Sequence, residues 1–195
     1  MLKFKSIAVF LFLSLISISA QSNWVIDKVH SKVQFTVTHL VISEVTGLFK
    51  SFDGTITAGK DDFSDAKIDF SIDVNSISTE NDQRDTHLKS DDFFNAAKFP
   101  KITFVGKSMQ KAGDNKYKLT GDFTMRDVTK QITLDVLYNG TIKDPWGNTK
   151  AGFKITGDLN RFDYNLKWNA LIETGGAVVS KTVYLTVNLE LQKAK

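Results

Sequence analysis

The sequence predicts an all-β fold of about eight antiparallel strands, arranged as a barrel or a sandwich. Three observations carry that reading. Apolar residues recur with period two through most of the 195 residues, and turn residues interrupt them at hairpin spacing. The face opposite the apolar one is Thr, Lys, Asp and Asn in most segments. A single sheet with one dry face must close on itself or be covered, and few helices are available to cover it. Closure also removes exposed strand edges, so a barrel is the expected solution. An eight-stranded barrel is either filled by side chains or holds one ligand, and alternation alone leaves both open.

The strands follow in order. Val33, Phe35, Val37 and His39 alternate with Gln34, Thr36 and Thr38. Val45 to Thr57 comes next, with Gly47 and Gly54 as expected bulge or bend positions. Gly59-Lys60-Asp61-Asp62 reads as a turn. Ile68, Phe70, Ile72 and Val74 against Asp69, Ser71 and Asp73 give the clearest strand. Ile102 to Met109 leads into the turn Ala112-Gly113-Asp114-Asn115. Tyr117, Leu119, Gly121, Phe123 and Met125 share a face, and Arg126 to Thr129 connects them to Ile132, Leu134, Val136 and Tyr138. After the loop Asp144-Pro145-Trp146-Gly147-Asn148 come Phe153, Ile155, Gly157 and Leu159. Val183, Leu185, Val187, Leu189 and Leu191 end the series.

Two stretches fall outside this pattern. Lys3 and Lys5 precede an apolar run, Ile7 to Ile16, and then Ser17-Ile18-Ser19-Ala20. This is a secretory leader over residues 1–20, with cleavage expected after Ala20 and Ser19 as the alternative; the run is too short for a membrane anchor. The domain is then residues 21–195. The second stretch, Asn81 to Gly106, breaks the alternation with charge, His and Phe, and a short helical insertion is expected around residues 81–95. Thr79 or Asn81 is placed to cap it, Asp85 and Lys89 are spaced to pair, and Pro100 stops it. A polar plug ending in aromatics points to the rim of an apolar cavity.

Composition narrows the partners. With no Cys there is no disulfide, no lipid-attachment Cys and no thiolate metal site, so the core alone must stabilise an exported chain. Without Lys3 and Lys5 the formal charge falls from +3 to +1, and no Lys/Arg cluster is interleaved with aromatics. Nucleic acid is therefore not an expected partner. No cofactor is expected, and after cleavage no integral membrane segment remains. A homodimer is left open.

The order of short motifs resembles the YceI-like family of periplasmic proteins. The likeness runs from Trp24 to Leu191: W-x-x-D-x-x-H-S at Trp24, Asp27, His30 and Ser31; F-x-V-x-H-L at Phe35 to Leu40; V-x-G-x-F at Val45 to Phe49. The most specific block is Ile77 to Phe94, including Asn81, Arg84, Asp85, His87 and Leu88, followed by K-F-P at Lys98 to Pro100 and N-R-x-D-Y at Asn160 to Tyr164. The resemblance implies a lipocalin-like eight-stranded barrel around an elongated apolar tunnel that binds an isoprenoid or related long-chain lipid, with no catalytic reaction. Two departures stand out. Asp127-Val128-Thr129-Lys130-Gln131 and Asp163-Tyr164-Asn165 replace family stretches that contain Gly. Added side-chain volume beside a tunnel predicts a different ligand length or width.

His39 shares its strand face with Val33, Phe35 and Val37, so it points inward, either as a satisfied core histidine or as a contact to a lipid head. Arg84 and His87 come from the plug and are candidates for the same contact. The alternative for Arg84 is an ion pair with Asp85 or Asp27. Phe35, Phe70, Phe94, Phe104, Phe123 and Phe153 are the candidate walls. Trp146 is a candidate for the mouth. The rival reading is a metal or haem redox module, or an enzyme, built on Asp27, His30, Arg84, Asp85 and His87. His30 and Ser31 are adjacent and face opposite ways in a strand, no G-x-S-x-G elbow occurs, and no close metal-binding His spacing is present. Expected localisation is periplasmic or secreted.

Overall fold

The computed structural model describes residues 21–173 and 175–195, which form one closed antiparallel sheet. The expected leader lies outside the described residues. The segments are β1 (Ser22–Ile26), β2 (Lys32–His39), β3 (Ser43–Phe49), β4 (Phe52–Ala58), β5 (Lys67–Asp73) and β6 (Ile77–Ser78). Helix α1 (Asp82–Lys89) follows, then β7 (Lys101–Gly113), β8 (Lys116–Met125), β9 (Val128–Lys143), β10 (Thr149–Asn160) and β11 (Val179–Lys193).

These eleven segments make eight staves, because three staves are each broken once at the same level. β1 and β2 run in succession along β11, through Ile26↔Leu191 and Lys32↔Asn188. β3 and β4 run beside them, through Phe49↔Val33 and Ile56↔Trp24. β5 and β6 come next, through Ile72↔Phe52 and Ile77↔Phe49. At the break, Lys50 N–H donates to Ser76 O (3.1 Å) and Asp73 N–H to Ser51 O (2.9 Å), so the backbone stays paired. The bend in the second stave therefore falls at Lys50–Ser51 and not at Gly47 or Gly54. β11 pairs with β10 along one edge and with β1 and β2 along the other, which closes the ring.

Closure with period-two alternation sends one set of side chains inward. Thr36–Thr46, Thr120–Thr133 and Thr124–Thr129 hydroxyl pairs and the Lys107–Asp122 and Lys118–Asp135 ion pairs occupy the outer face. One end is shut by Phe63, 2% exposed, in the loop after β4. Its ring packs against Trp24 (4.9 Å), Phe153 (4.9 Å) and Tyr138 (5.7 Å). The Asp65 carboxylate holds that loop by accepting from Gly59 N–H and Lys60 N–H. The Pro145–Trp146 hairpin belongs to this same end, where Trp146 is 84% exposed and does not line the interior. It is therefore not part of the mouth.

Helix α1 and its following turns sit at the other end. Asn81 is the cap, its Oδ1 accepting from Arg84 N–H (2.9 Å). The helix stops at Lys89; residues to Ala96 continue as turns, shorter than the helical span expected from the sequence. Asp85 does not pair with Lys89. Instead its Oδ1 accepts from Thr79 N–H (2.8 Å) and Thr79 Oγ1–H (2.6 Å). Arg126, from the β8–β9 turn, ties the plug down by donating to the Asp91, Phe93 and Asn165 carbonyls and to the Asp91 carboxylate.

At the break between β1 and β2, Lys150 Nζ donates to Asp27 Oδ2 (2.7 Å) and Glu190 Oε1 (3.1 Å), while Asp27 Oδ1 accepts from Val29 and His30 N–H. The Lys150 hydrogen bond, then that of His30, holds the Asp27 carboxyl well below the usual carboxylate range. A depressed folded-state pKa stabilises the fold above the ordinary carboxylate pKa, and that contribution fades as pH falls through the folded value. Asp27→Asn should therefore lower stability at pH 7 by about 1.5–3 kcal/mol, the range for hydrogen bonds to charged groups. Urea unfolding should show the gap to wild type narrowing as the pH drops below 3.8, the ordinary Asp value.

Candidate ligand-binding site

The barrel is not filled. A cavity of about 360 Å³ runs down its axis, within the range of ligand pockets. Gln34, His39, Thr79, Arg84, His87, Thr103 and Arg161 are the lining residues with polar side chains; all others are apolar. Phe35, Phe70, Phe94, Phe104, Phe123 and Phe153 are all among them.

The space survives because rings are parked over glycines on neighbouring strands. A Cβ at Gly47 would lie 2.2 Å from Phe35 Cζ, and one at Gly121 would lie 2.4 Å from Phe104 Cζ. Gly47 faces Phe35 directly across β2 and β3. At both sites the missing side chain lets an aromatic ring lie against the wall and leaves the bore open. Gly47→Ala would meet the movable end of the Phe35 ring, at a cost of about 1–2 kcal/mol, and push that ring inward. Gly121→Ala would also meet the Val105 carbonyl at 2.5 Å, which cannot swing away, and should cost more. Thermal unfolding together with titration of an apolar fluorescent probe checks this: Gly47→Ala should take up less probe while remaining the more stable of the two.

The basic groups gather at the plug end. His39 ends β2, is half-buried, and its ring has no protein hydrogen-bond partner among the described residues. The core-histidine alternative, satisfied by a carboxylate or hydroxyl, is thus not what the fold builds. His87 Nε2 lies 2.8 Å from Asp92 Oδ2, and its ring stands edge-on to Phe93 (5.1 Å) and Trp168 (5.5 Å). Arg84 forms neither expected ion pair. It donates from Nε to Thr79 Oγ1 and from Nη2 to the Thr79 carbonyl, both at 2.7 Å, because Thr79 folds back over the first turn of α1.

Arg161 went unassigned in the sequence, although it is the Arg of the N-R-x-D-Y motif. It is 2% exposed and donates to four carbonyls: Nε to Ser180 (3.0 Å), Nη1 to Leu166 (2.9 Å) and Trp168 (2.6 Å), Nη2 to Val179 (3.2 Å). Burial pushes its pKa down, but a guanidinium remains charged at any ordinary pH. Asn165, one of the departures noted in the sequence, takes φ 63° at the end of the short 3₁₀ turn Arg161–Tyr164. Asn tolerates this left-handed conformation, and its Nδ2 donates to Asp127 Oδ1 at 3.1 Å. Neither Asp127 nor Asn165 lines the cavity, so the expected change in tunnel size does not follow from them.

The polar residues of the rival reading fall in two separate places: Asp27 and His30 at the β1–β2 break, and Arg84, Asp85 and His87 on α1. Among the described residues, Asp27, His30 and Glu190 are the one group whose ligand atoms lie within 4.8 Å of one another; neither His39 nor His87 joins it. Lys150 Nζ already binds two of those carboxylates, the position a cation would need.

Residues 24–191 match the family model described as the YceI-like domain. The chain belongs to the YceI-like family. It is 39% identical over 170 residues to UPF0312 protein SAS2572 of Staphylococcus aureus strain MSSA476, covering 87% of this chain and 96% of the relative. The crystal structure of the Campylobacter jejuni YCEI protein is similar at TM-score 0.70 and 35% identity, covering 81% of this chain and 90% of that one. Two more distant structures share the fold: Burkholderia cenocepacia BcnA (TM-score 0.74, 22% identity, 85% and 98% covered) and a Saccharophagus degradans domain described as polyisoprenoid-binding (TM-score 0.65, 17% identity, 88% and 98% covered).

Proposed function

We propose that this YceI-like protein is an exported, soluble binding protein that holds or carries a polyisoprenoid or related long-chain lipid. The observation that carries the reading is the hollow axis: about 360 Å³ of largely apolar space with its basic side chains at the plug end. Each further CH₂ of a bound chain removed from water contributes roughly 0.8 kcal/mol, so a long tail is retained with little polar recognition. The closed Phe63 end then takes the tail and the plug end the head, with His39, Arg84 and His87 as its contacts. The polyisoprenoid-binding description of the Saccharophagus degradans domain supports the same ligand class. Lys3, Lys5 and the apolar run behind them support export to the periplasm or beyond. Among the described residues no helix is long and apolar enough to cross a membrane.

Binding fits the site better than catalysis. Asp27 and His30 serve the β1–β2 bend, and the Thr79 hydroxyl that lines the cavity is engaged by both Asp85 and Arg84, fastening the first turn of α1. Mass spectrometry of an organic extract from detergent-free native protein should yield one long-chain lipid near stoichiometry. Protein that carries no lipid and takes up no added prenyl chain would refute the proposal.

A further inference from the structure

Two turns at the plug end point apolar side chains outward. Val41 (64% exposed) and Ile42 (86%) stand between β2 and β3, and Leu171 (68%) stands ahead of β11. The two are tied together. Leu40 N–H donates to Val178 O and Val178 N–H to Ala170 O, both at 2.9 Å, while Leu171 bridges to Ala177. A Cβ at Gly176 would lie 2.8 Å from Val41 Cγ2 and 3.1 Å from Ile172 Cδ1, so this glycine lets the apolar side chains of both turns close up. Surface hydrophobic residues scattered singly are ordinary, but a contiguous group marks a contact surface.

Turn chemistry does not account for the group. The turn closed by Ile42 N–H to His39 O has positive φ at both central residues, Leu40 (51°) and Val41 (67°). Asn and Gly suit such positions, and a β-branched residue there is strained. The roots of the same two segments line the cavity, through His39 on one side and Val178 and Val179 on the other. Arg84 lines it too and is exposed, so the cavity reaches solvent beside them. A long chain that left a bilayer for this opening through water would expose its methylenes on the way.

We propose that Val41, Ile42, Leu171 and Ile172 dock the open end of the barrel on a lipid bilayer, so that the chain passes between membrane and cavity without crossing water. This rests on the long-chain lipid reading above. An exposed acid follows each turn, Glu44 and Glu173, so the attraction is apolar and needs no anionic lipid. Trp146, exposed at the Phe63 end, stands where the floor is sealed and takes no part.

The test uses residues 21–195, which contain the whole closed sheet, because the apolar run Ile7 to Ile16 would itself bind vesicles. Phosphatidylcholine vesicles should sediment the protein at least as well as phosphatidylglycerol vesicles, with no release by salt. Ile42→Glu combined with Leu171→Glu should lower the bound fraction about tenfold and slow delivery of a fluorescent prenyl chain from vesicles to a similar degree. Uptake of an apolar fluorescent probe from solution should stay unchanged, and Trp146→Ala should alter none of these. Wild type that takes up the probe but ignores vesicles overturns the docking and leaves lipid binding intact. Wild type that binds vesicles but takes up neither probe nor chain defeats the lipid reading instead. A dimer that the double variant dissolves, without vesicle binding, assigns the turns to a second copy and also overturns the docking. Should the double variant lose probe uptake, Ile42→Ser alone decides: it should lower the bound fraction about threefold with uptake intact, and an unchanged fraction counts against the docking.

Discussion

The hydrogen bonds that β11 makes along both of its edges are the constraint on which the rest of the molecule depends. One edge runs along β10 from Asn160↔Thr182 to Lys150↔Gln192, and the other along β2 and then β1. A sheet closed in this way has an inside whose width is fixed by strand number and tilt, not by the size of the side chains. Period-two alternation then decides what faces that interior. With Phe35 and Phe104 resting over Gly47 and Gly121, large rings line the inside without meeting in the middle. The hollow is therefore a property of the backbone, and the aromatic residues dry it.

The two ends have opposite chemistry. Phe63, Trp24, Phe153 and Tyr138 seal one with rings, and the Asp65 carboxylate that fastens this seal points to the loop backbone outside. The other is capped by α1 and held by Arg126, whose donors reach the plug and the Asn165 loop together. An elongated guest with one polar terminus meets a different environment at each end, so the barrel imposes a direction on it. Direction requires no recognition along the length of the chain, which agrees with walls that are almost wholly hydrocarbon.

Most of this architecture was legible in the sequence, because one-sided alternation is local. The eight staves correspond to the eight alternating runs, and parity alone placed His39 inside with Val33, Phe35 and Val37. The common break in three staves was not legible: it depends on cross-strand bonds such as Lys50 N–H to Ser76 O, which join residues far apart in the chain. Phe63 escaped notice because its neighbours Gly59 to Asp62 have turn chemistry and its ring enters the core from a loop. Spacing also misassigned Asp85, since its i, i+4 pair with Lys89 competes with Thr79, whose N–H and hydroxyl both donate to the carboxylate. Arg161 was visible only as a motif letter. Four carbonyls from separate loop and strand positions form its surroundings, and no sequence pattern encodes carbonyls.

The breaks at 27–31, 50–51 and 74–76 divide the barrel wall into two storeys. The lower storey, β1, β4 and β5 with the long strands β7 to β11, carries the Asp27–Lys150 lock and the aromatic floor. The upper, β2, β3 and β6, carries His39 and leads into the plug. Because the fastening sits at the joint, it ties the interrupted first stave to β10 and β11 where its own ladder lapses, so the two storeys share one continuous wall.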